Sequence, residues 1–259
     1  MSEMSNNPFF EDSLAQRYEQ WYEVAQGRRA DLLEKELLGQ LLNDFSGIQP
    51  NFFFSEKKRK NFLSLLEIGC GTGHFTRYFA TLLPSVVGLD ISPAMLKEAR
   101  RQNTDKSIPY LVGDALHLPF SDASFDVVVF ITTLEFLTNP QQAIREAGRV
   151  ARRGLLLGVL NAYSLMGIAR RLERFFKPTI YNYAHFYSVG ELSKLVRKSL
   201  LDRKNKLFWR TTLFPKLAPL KGVALPFGDF IGMRVLFRET NKERKSRCLE
   251  SPHRLAYIH

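Results

Sequence analysis

Three glycines at alternate positions, Gly69, Gly71 and Gly73, stand in the string Leu63-Ser64-Leu65-Leu66-Glu67-Ile68-Gly69-Cys70-Gly71-Thr72-Gly73-His74-Phe75-Thr76. Glycine lets a backbone turn sharply and lets a ligand approach with no Cβ in the way. An acid, Glu67, precedes the first glycine by two residues, and a second, Asp90, follows the apolar run Val86-Val87-Gly88-Leu89. Asp90 falls where a nucleotide-binding α/β unit places its ribose-binding carboxylate. Such a carboxylate suits two vicinal hydroxyls, because charge-assisted hydrogen bonds are roughly twice as strong as neutral ones. A dinucleotide fingerprint would need its third glycine where His74 stands, so the spacing departs from that fingerprint.

The elements that must position these residues can be read around them. The run into Ile68 has the character of a buried parallel strand, and Phe75, Tyr78, Phe79 and Leu82 recur at helical spacing until Pro84. Val86 to Asp90 reads as the second strand, Tyr110 to Ala115 as the third and its exit, Val127 to Ile131 as the fourth and Leu155 to Leu160 as the fifth. Ser92-Pro93 and Pro140 open the intervening helices, and Gly154 is expected to end the second of them. Strands alternating with helices predict a parallel sheet covered on both faces. Upstream, helices are expected over Ser13 to Ala25, broken by Gly27, and from Asp31 to Phe45. Downstream, Ser188 and Glu191 are spaced as a capping box, and Leu207 to Leu213 and Met233 to Phe237 read as two last strands.

The chain has 259 residues and a net charge of +11, unevenly placed. Residues 1–160 hold 17 Lys/Arg against 19 Asp/Glu, whereas residues 161–259 hold 20 against 7. So basic a C-terminal part suggests an anionic partner. Two cysteines, Cys70 and Cys248, make no disulfide framework. With no signal-peptide pattern at the N-terminus, a cytoplasmic setting is expected.

The order of these pieces resembles the class I S-adenosylmethionine-dependent methyltransferases, type 11, the group of ubiquinone/menaquinone-biosynthesis methyltransferases. The likeness covers about residues 14 to 240. It rests on Leu65 to Gly73, Val87 to Ser92, Gly113-Asp114-Ala115 with Leu118-Pro119-Phe120, Phe125-Asp126, and Phe186 to Leu192. It implies a Rossmann-like, seven-stranded, mostly parallel sheet with helices on both faces and the last strand antiparallel. It further implies that Glu67, Gly69, Cys70, Gly71 and Gly73 hold the amino-acid end of S-adenosyl-L-methionine. Asp90 would accept the ribose hydroxyls with Ile91 against the adenine, and Asp114 would accept the adenine amino group beside Ala115. The implied division is an N-terminal helical cap and linker over 1–61, the methyltransferase domain over 62–240 with a lid inserted at about 161–187, and a disordered tail over 241–259.

A sulfonium already makes its methyl group electrophilic, so such a protein has mainly to align a nucleophile and exclude water. Candidate catalytic residues are Glu135, with His185, Tyr183 and Tyr187 before the late helix, and Tyr18, which with Trp21 could close an aromatic face over the sulfonium. No cysteine cluster suggests a metal. The string Ile131-Thr132-Thr133-Leu134-Glu135-Phe136 lacks the Asn/Asp-Pro-Pro-aromatic motif of enzymes that methylate exocyclic base or glutamine amines. The expected partner is therefore a small-molecule methyl acceptor. Arg170, Arg171, Arg174 and Lys177, interleaved with Phe175, Phe176 and Tyr181, suit an anionic, partly hydrophobic one and a peripheral contact with an anionic membrane surface. Two alternatives stay open: a cofactor-binding regulatory protein without transfer activity, and an RNA-directed methyltransferase.

Overall fold

A computed structural model describes residues 19–46, 63–104, 108–164, 168, 183–212 and 224–238. Tyr18, the arginines of the expected lid and the expected disordered tail all lie outside these. Seven strands form one sheet: β1 Ser64–Ile68, β2 Ser85–Asp90, β3 Tyr110–Val112, β4 Phe125–Ile131, β5 Ala151–Leu160, β6 Asn205–Thr212 and β7 Phe230–Phe237. Their spatial order is β3-β2-β1-β4-β5-β7-β6. All pairs from β3 to β5 are parallel, while β7 runs antiparallel to both β5 and β6. The expected mostly parallel sheet with its last strand reversed is the observed one.

Strand alternation decides which residues meet which layer. On one face Leu65, Val127, Val129 and Leu156 pack with Leu37, Leu38, Leu41 and Leu42 of helix α1 (Ala25–Asn43) and Phe79 of α2 (His74–Leu82). On the other, Leu66, Ile68, Val128, Phe130, Leu155 and Leu157 meet Ala143, Ile144 and Ala147 of α4 (Pro140–Val150) and Leu192 and Val196 of α5 (Val189–Ser199). Helix α3 (Pro93–Gln102) packs Leu96 and Ala99 against Cys70 and Tyr110. Its start is as expected: Ser92 Oγ accepts from Met95 N at 3.3 Å, with proline in the first turn. Ser188 likewise accepts from Glu191 N at 3.1 Å, but the Glu191 carboxylate turns to His185 instead of completing the box.

Two glycines expected to break helices do something else. Gly27 lies inside α1, and the interruption falls at Val24, between a helical stretch over 19–23 and α1. A Cβ on Gly27 would stand 1.8 Å from the Trp21 carbonyl oxygen, so this glycine permits close backbone approach. Gly154 does not end α4 but sits within β5, where a Cβ would stand 1.9 Å from the Val235 carbonyl oxygen. The register against β4 shifts just before it, from Phe125↔Ala151 to Val127↔Gly154, which lets β5 begin four residues earlier than its apolar run.

Candidate active site

The glycine turn lies where β1 ends, in the middle of the sheet and at the C-terminal edge of its parallel strands, where open α/β sheets bind ligands. Gly69, Gly71 and Gly73 all take positive φ, at 69°, 53° and 76°. They are not equivalent. A Cβ on Gly69 would stand 2.2 Å from Thr133 Cγ2, and one on Gly73 would stand 2.4 Å from the Tyr110 hydroxyl. A Cβ on Gly71 would meet no atom of the described residues within 4 Å beyond its chain neighbours. Two of the glycines are thus shaped by protein neighbours, while the middle one borders open space. Beside it the Thr72 hydroxyl is buried without a hydrogen-bond partner among the described residues.

Asp90, at the end of β2, holds the turn. One carboxylate oxygen accepts from Gly71 N at 2.7 Å and the other from Ser92 N at 2.8 Å. Burial pushes Asp90 above the usual carboxylate range, against the pull of these backbone donors. A carboxylate offers about four lone-pair sites, so acceptor capacity remains beyond these donors. Ile91, the next residue, is 41% exposed at the rim. Asp114 follows β3, half-exposed, and accepts from Leu116 N at 2.8 Å, with Ala115 buried beside it. Glu67 lies buried beneath the turn, where it accepts from Thr76 Oγ1 of α2 at 2.5 Å, and burial lifts it to about 8. Cys70 is buried, its thiol pushed up by burial and by the nearby acids.

The wall beyond β4 is built by side chains from distant segments. Thr132 has a positive φ of 49°, and Thr133 donates to Ile68 O and Gly69 O at 3.2 Å, tying this loop to the glycine turn. Glu135 is buried in a short 3₁₀ turn; Oε1 accepts from Leu160 N at 2.7 Å while Oε2 has no partner among the described residues. Burial lifts its carboxyl to about 8. His185 N donates to the Glu135 carbonyl at 2.8 Å, but the imidazole faces outward to Glu191 at 2.6 Å. Tyr187 donates its hydroxyl to Leu134 O at 3.2 Å, and Tyr183 is exposed. The structure therefore brings Glu135 and the His185 main chain together without joining the two side chains.

Residues 66–157 match the model of a methyltransferase domain family. Over 135 residues the chain is 34% identical to an uncharacterized protein of Methanocaldococcus jannaschii, covering 51% of this chain and 62% of that one. Over 115 residues it is 37% identical to a demethylmenaquinone methyltransferase of Lactobacillus johnsonii, covering 42% and 47%. Residues 66–157 form a type 11 class I methyltransferase domain. The matched region spans roughly half the length of these curated relatives. A structure from Thermotoga maritima, described as an S-adenosylmethionine-dependent methyltransferase and possible histamine N-methyltransferase, superimposes with a TM-score of 0.65 at 26% identity, over 88% of this chain and 97% of that one.

Within this methyltransferase domain the glycine turn, Asp90, Asp114 and Glu135 all fall at one edge of the sheet. Three contributors escape sequence reasoning: Thr133, and His74 and Arg77 at the start of α2. The signal for Thr133 is its place, a polar residue directly after an all-apolar strand in the middle of the sheet. His74 and Arg77 carry no such signal, because their partners Tyr22, Asp31 and Glu19 lie more than 40 residues upstream. Among the described residues no helix is long and apolar enough to cross a membrane.

Proposed function

We propose that this chain transfers a methyl group from S-adenosyl-L-methionine to a small-molecule acceptor. The observation that carries the reading is Gly71. Its φ is positive, no atom of the described residues beyond its chain neighbours lies within 4 Å of where a side chain would begin, and its amide is fixed by Asp90. A turn paid for in backbone entropy yet free of protein neighbours is one that accommodates a ligand.

S-adenosyl-L-methionine supplies a methyl made electrophilic by its sulfonium. The chain's own residues bind and orient. Gly69, Cys70, Gly71 and Gly73 shape the turn along the amino-acid end, with Glu67 bracing it from beneath. Asp90 offers its free lone pairs to the ribose hydroxyls, Ile91 borders the adenine, and Asp114 with Ala115 receives its amino group. On the acceptor side, Glu135 is a buried carboxyl with one oxygen unpartnered among the described residues, held neutral near pH 7 by burial, and so able to donate a hydrogen bond. The acceptor is read as anionic and partly hydrophobic, met by the lid over 161–187 with Arg170 and Arg174. The excess of Lys/Arg after residue 160 supports this, as does the quinone-type substrate named for the Lactobacillus johnsonii relative. The same charge suits a peripheral contact with an anionic membrane surface from a cytoplasmic setting.

Calorimetric titration with S-adenosylmethionine and S-adenosylhomocysteine tests the reading. Both should bind, and Asp90→Ala should lose about 1.5–3 kcal/mol of binding free energy. Absence of binding heat, or an unaffected Asp90→Ala variant, would overturn the site. Cofactor binding with no methyl transfer to any of a broad panel of small acceptors would instead indicate a regulatory binder.

A further inference from the structure

A turn with three glycines at positive φ is intrinsically loose, because glycine loses more conformational freedom on ordering than any other residue. Asp90 secures one side of it through the Gly71 amide. The opposite side is secured from the N-terminal helices. Arg77 Nη1 donates to the Thr72 carbonyl at 2.7 Å, and its Nη2 lies 3.4 Å from Glu19 Oε1 in the helical stretch over 19–23. His74, directly after Gly73, stacks on Tyr22 with ring centroids 3.7 Å apart and planes 8° from parallel. Its Nε2 lies 2.7 Å from Asp31 Oδ1, and Lys35 Nζ stands 2.8 Å from the same oxygen. Burial works against the Asp31 charge, yet the bonds from His74 and Lys35 hold its carboxyl below the usual range.

This arrangement runs against local preference. Helix α2 starts at Gly73 with no side-chain cap and no acid in its first turn. A cation near a helix N-terminus opposes the helix dipole. Arg77 is nevertheless spent on a carbonyl of the turn, midway between the open Gly71 and the packed Gly73.

We propose that His74 and Arg77 are positioning residues for the cofactor-binding turn, held from the N-terminal helices by Tyr22, Asp31 and Glu19. Cofactor affinity is then set in part by residues that do not touch the cofactor. The inference rests on the S-adenosylmethionine reading of the turn. Its physical basis is that apparent affinity scales with the fraction of molecules whose turn is already in the binding conformation.

The test titrates S-adenosylhomocysteine into the full chain and into Arg77→Ala, Arg77→Lys, His74→Phe and Asp31→Ala variants, with the melting temperature of each cofactor-free protein measured alongside. Arg77→Ala should weaken binding about tenfold, the equivalent of one lost charge-assisted hydrogen bond. Arg77→Lys should recover part of the loss, since an ammonium can still donate to Thr72 O. His74→Phe keeps a ring against Tyr22 but loses Asp31, so it and Asp31→Ala should weaken binding to a similar, non-additive extent. Amide exchange at Gly71 and Gly73 in the cofactor-free variants should quicken in step. If the wild type binds and the variants bind equally well, the inference is overturned, whatever happens to their melting temperatures. The same holds if affinity falls while exchange at the turn stays unchanged. A wild type that binds no S-adenosylhomocysteine would instead sink the cofactor reading itself.

Discussion

On the β1–β2 side of the site the geometry is written in main chain: glycines at positive φ, amides of Gly71 and Ser92 on one carboxylate, and Gly69 N on Leu89 O at 2.7 Å. On the β4–β5 side it is written in side chains that reach across the sequence, as Glu135 to Leu160 N and Tyr187 to Leu134 O. Backbone geometry of the first kind survives wide changes of sequence so long as glycines and one acid keep their spacing. Geometry of the second kind depends on each partner. The family match ends at residue 157, just before Leu160, Ala162, Ala184 and Phe186 come together as a small apolar cluster with Phe136 against it. On the proposed function, the first side meets the cofactor and the second the acceptor.

The contrast is sharpest within the turn itself, and the largest expected effect lies there. In Gly69→Ala the new methyl must take a left-handed conformation and also enters Thr133. Strain of about 1–2 kcal/mol adds to overpacking of about 1–3 kcal/mol. Gly71→Ala carries the same conformational strain but meets no atom of the described residues beyond its chain neighbours, so its stability loss should stay near about 1–2 kcal/mol. Its methyl would occupy the space proposed for the cofactor, so S-adenosylhomocysteine binding should be lost. Urea unfolding paired with titration reads both. Equal stability losses, or a Gly71→Ala protein that binds as well as wild type, would erase the distinction between packed and open glycines.

The same contrast explains what could be read in the sequence. The succession of strands and helices along the chain, the cap at Ser92 and the place of Asp90 at a strand end follow from local patterns, since period, turn and cap are each specified within a few residues. The sheet's arrangement and the role of Asp114 came instead from the family resemblance. Thr133 was not legible as an anchor because its acceptors, Ile68 O and Gly69 O, lie 65 and 64 residues away. Gly27 and Gly154 misled because a glycine permits close approach as readily as it ends a helix. From sequence the two uses look alike until the neighbour is known, here Trp21 O and Val235 O. His185 was grouped with Glu135 as a candidate base, yet only its backbone reaches that residue.

Next in size is a pH effect from the two enclosed carboxyls. Glu135 and Glu67 are lifted from an ordinary 4.5 to about 8, first by burial, with backbone amides at Glu135 and the Thr76 hydroxyl at Glu67 pulling the other way. Between those values the folded protein keeps protons that the unfolded chain releases, so stability should fall as pH rises from 4.5 towards 8. The slope is at most about 1.4 kcal/mol per pH unit for each group. Glu135→Gln keeps an acceptor for Leu160 N and cannot ionise, so it should remove its share of that slope. Urea midpoints at several pH values across this window would show it. A variant whose stability falls with pH as steeply as the wild type's would mean that Glu135 ionises freely in the fold.

The smallest expected effect belongs to the other candidate base. The His185–Glu191 pair is short at 2.6 Å, but its side chains are 59% and 46% exposed. Water screens such pairs, and exposed ion pairs contribute about 0–1 kcal/mol. Glu191 also stands in the first turn of α5, where the helix dipole favours an acid with or without a histidine beside it. What His185 gives to the wall beyond β4 is its amide, which donates to the Glu135 carbonyl and survives any side-chain substitution other than proline. His185→Ala should therefore leave stability within about 1 kcal/mol of wild type and leave S-adenosylhomocysteine affinity unchanged. A loss of several kcal/mol in urea unfolding, or a marked fall in affinity, would show that the imidazole itself supports the wall. The main-chain and side-chain halves of the site would then be coupled more tightly than their hydrogen bonds indicate.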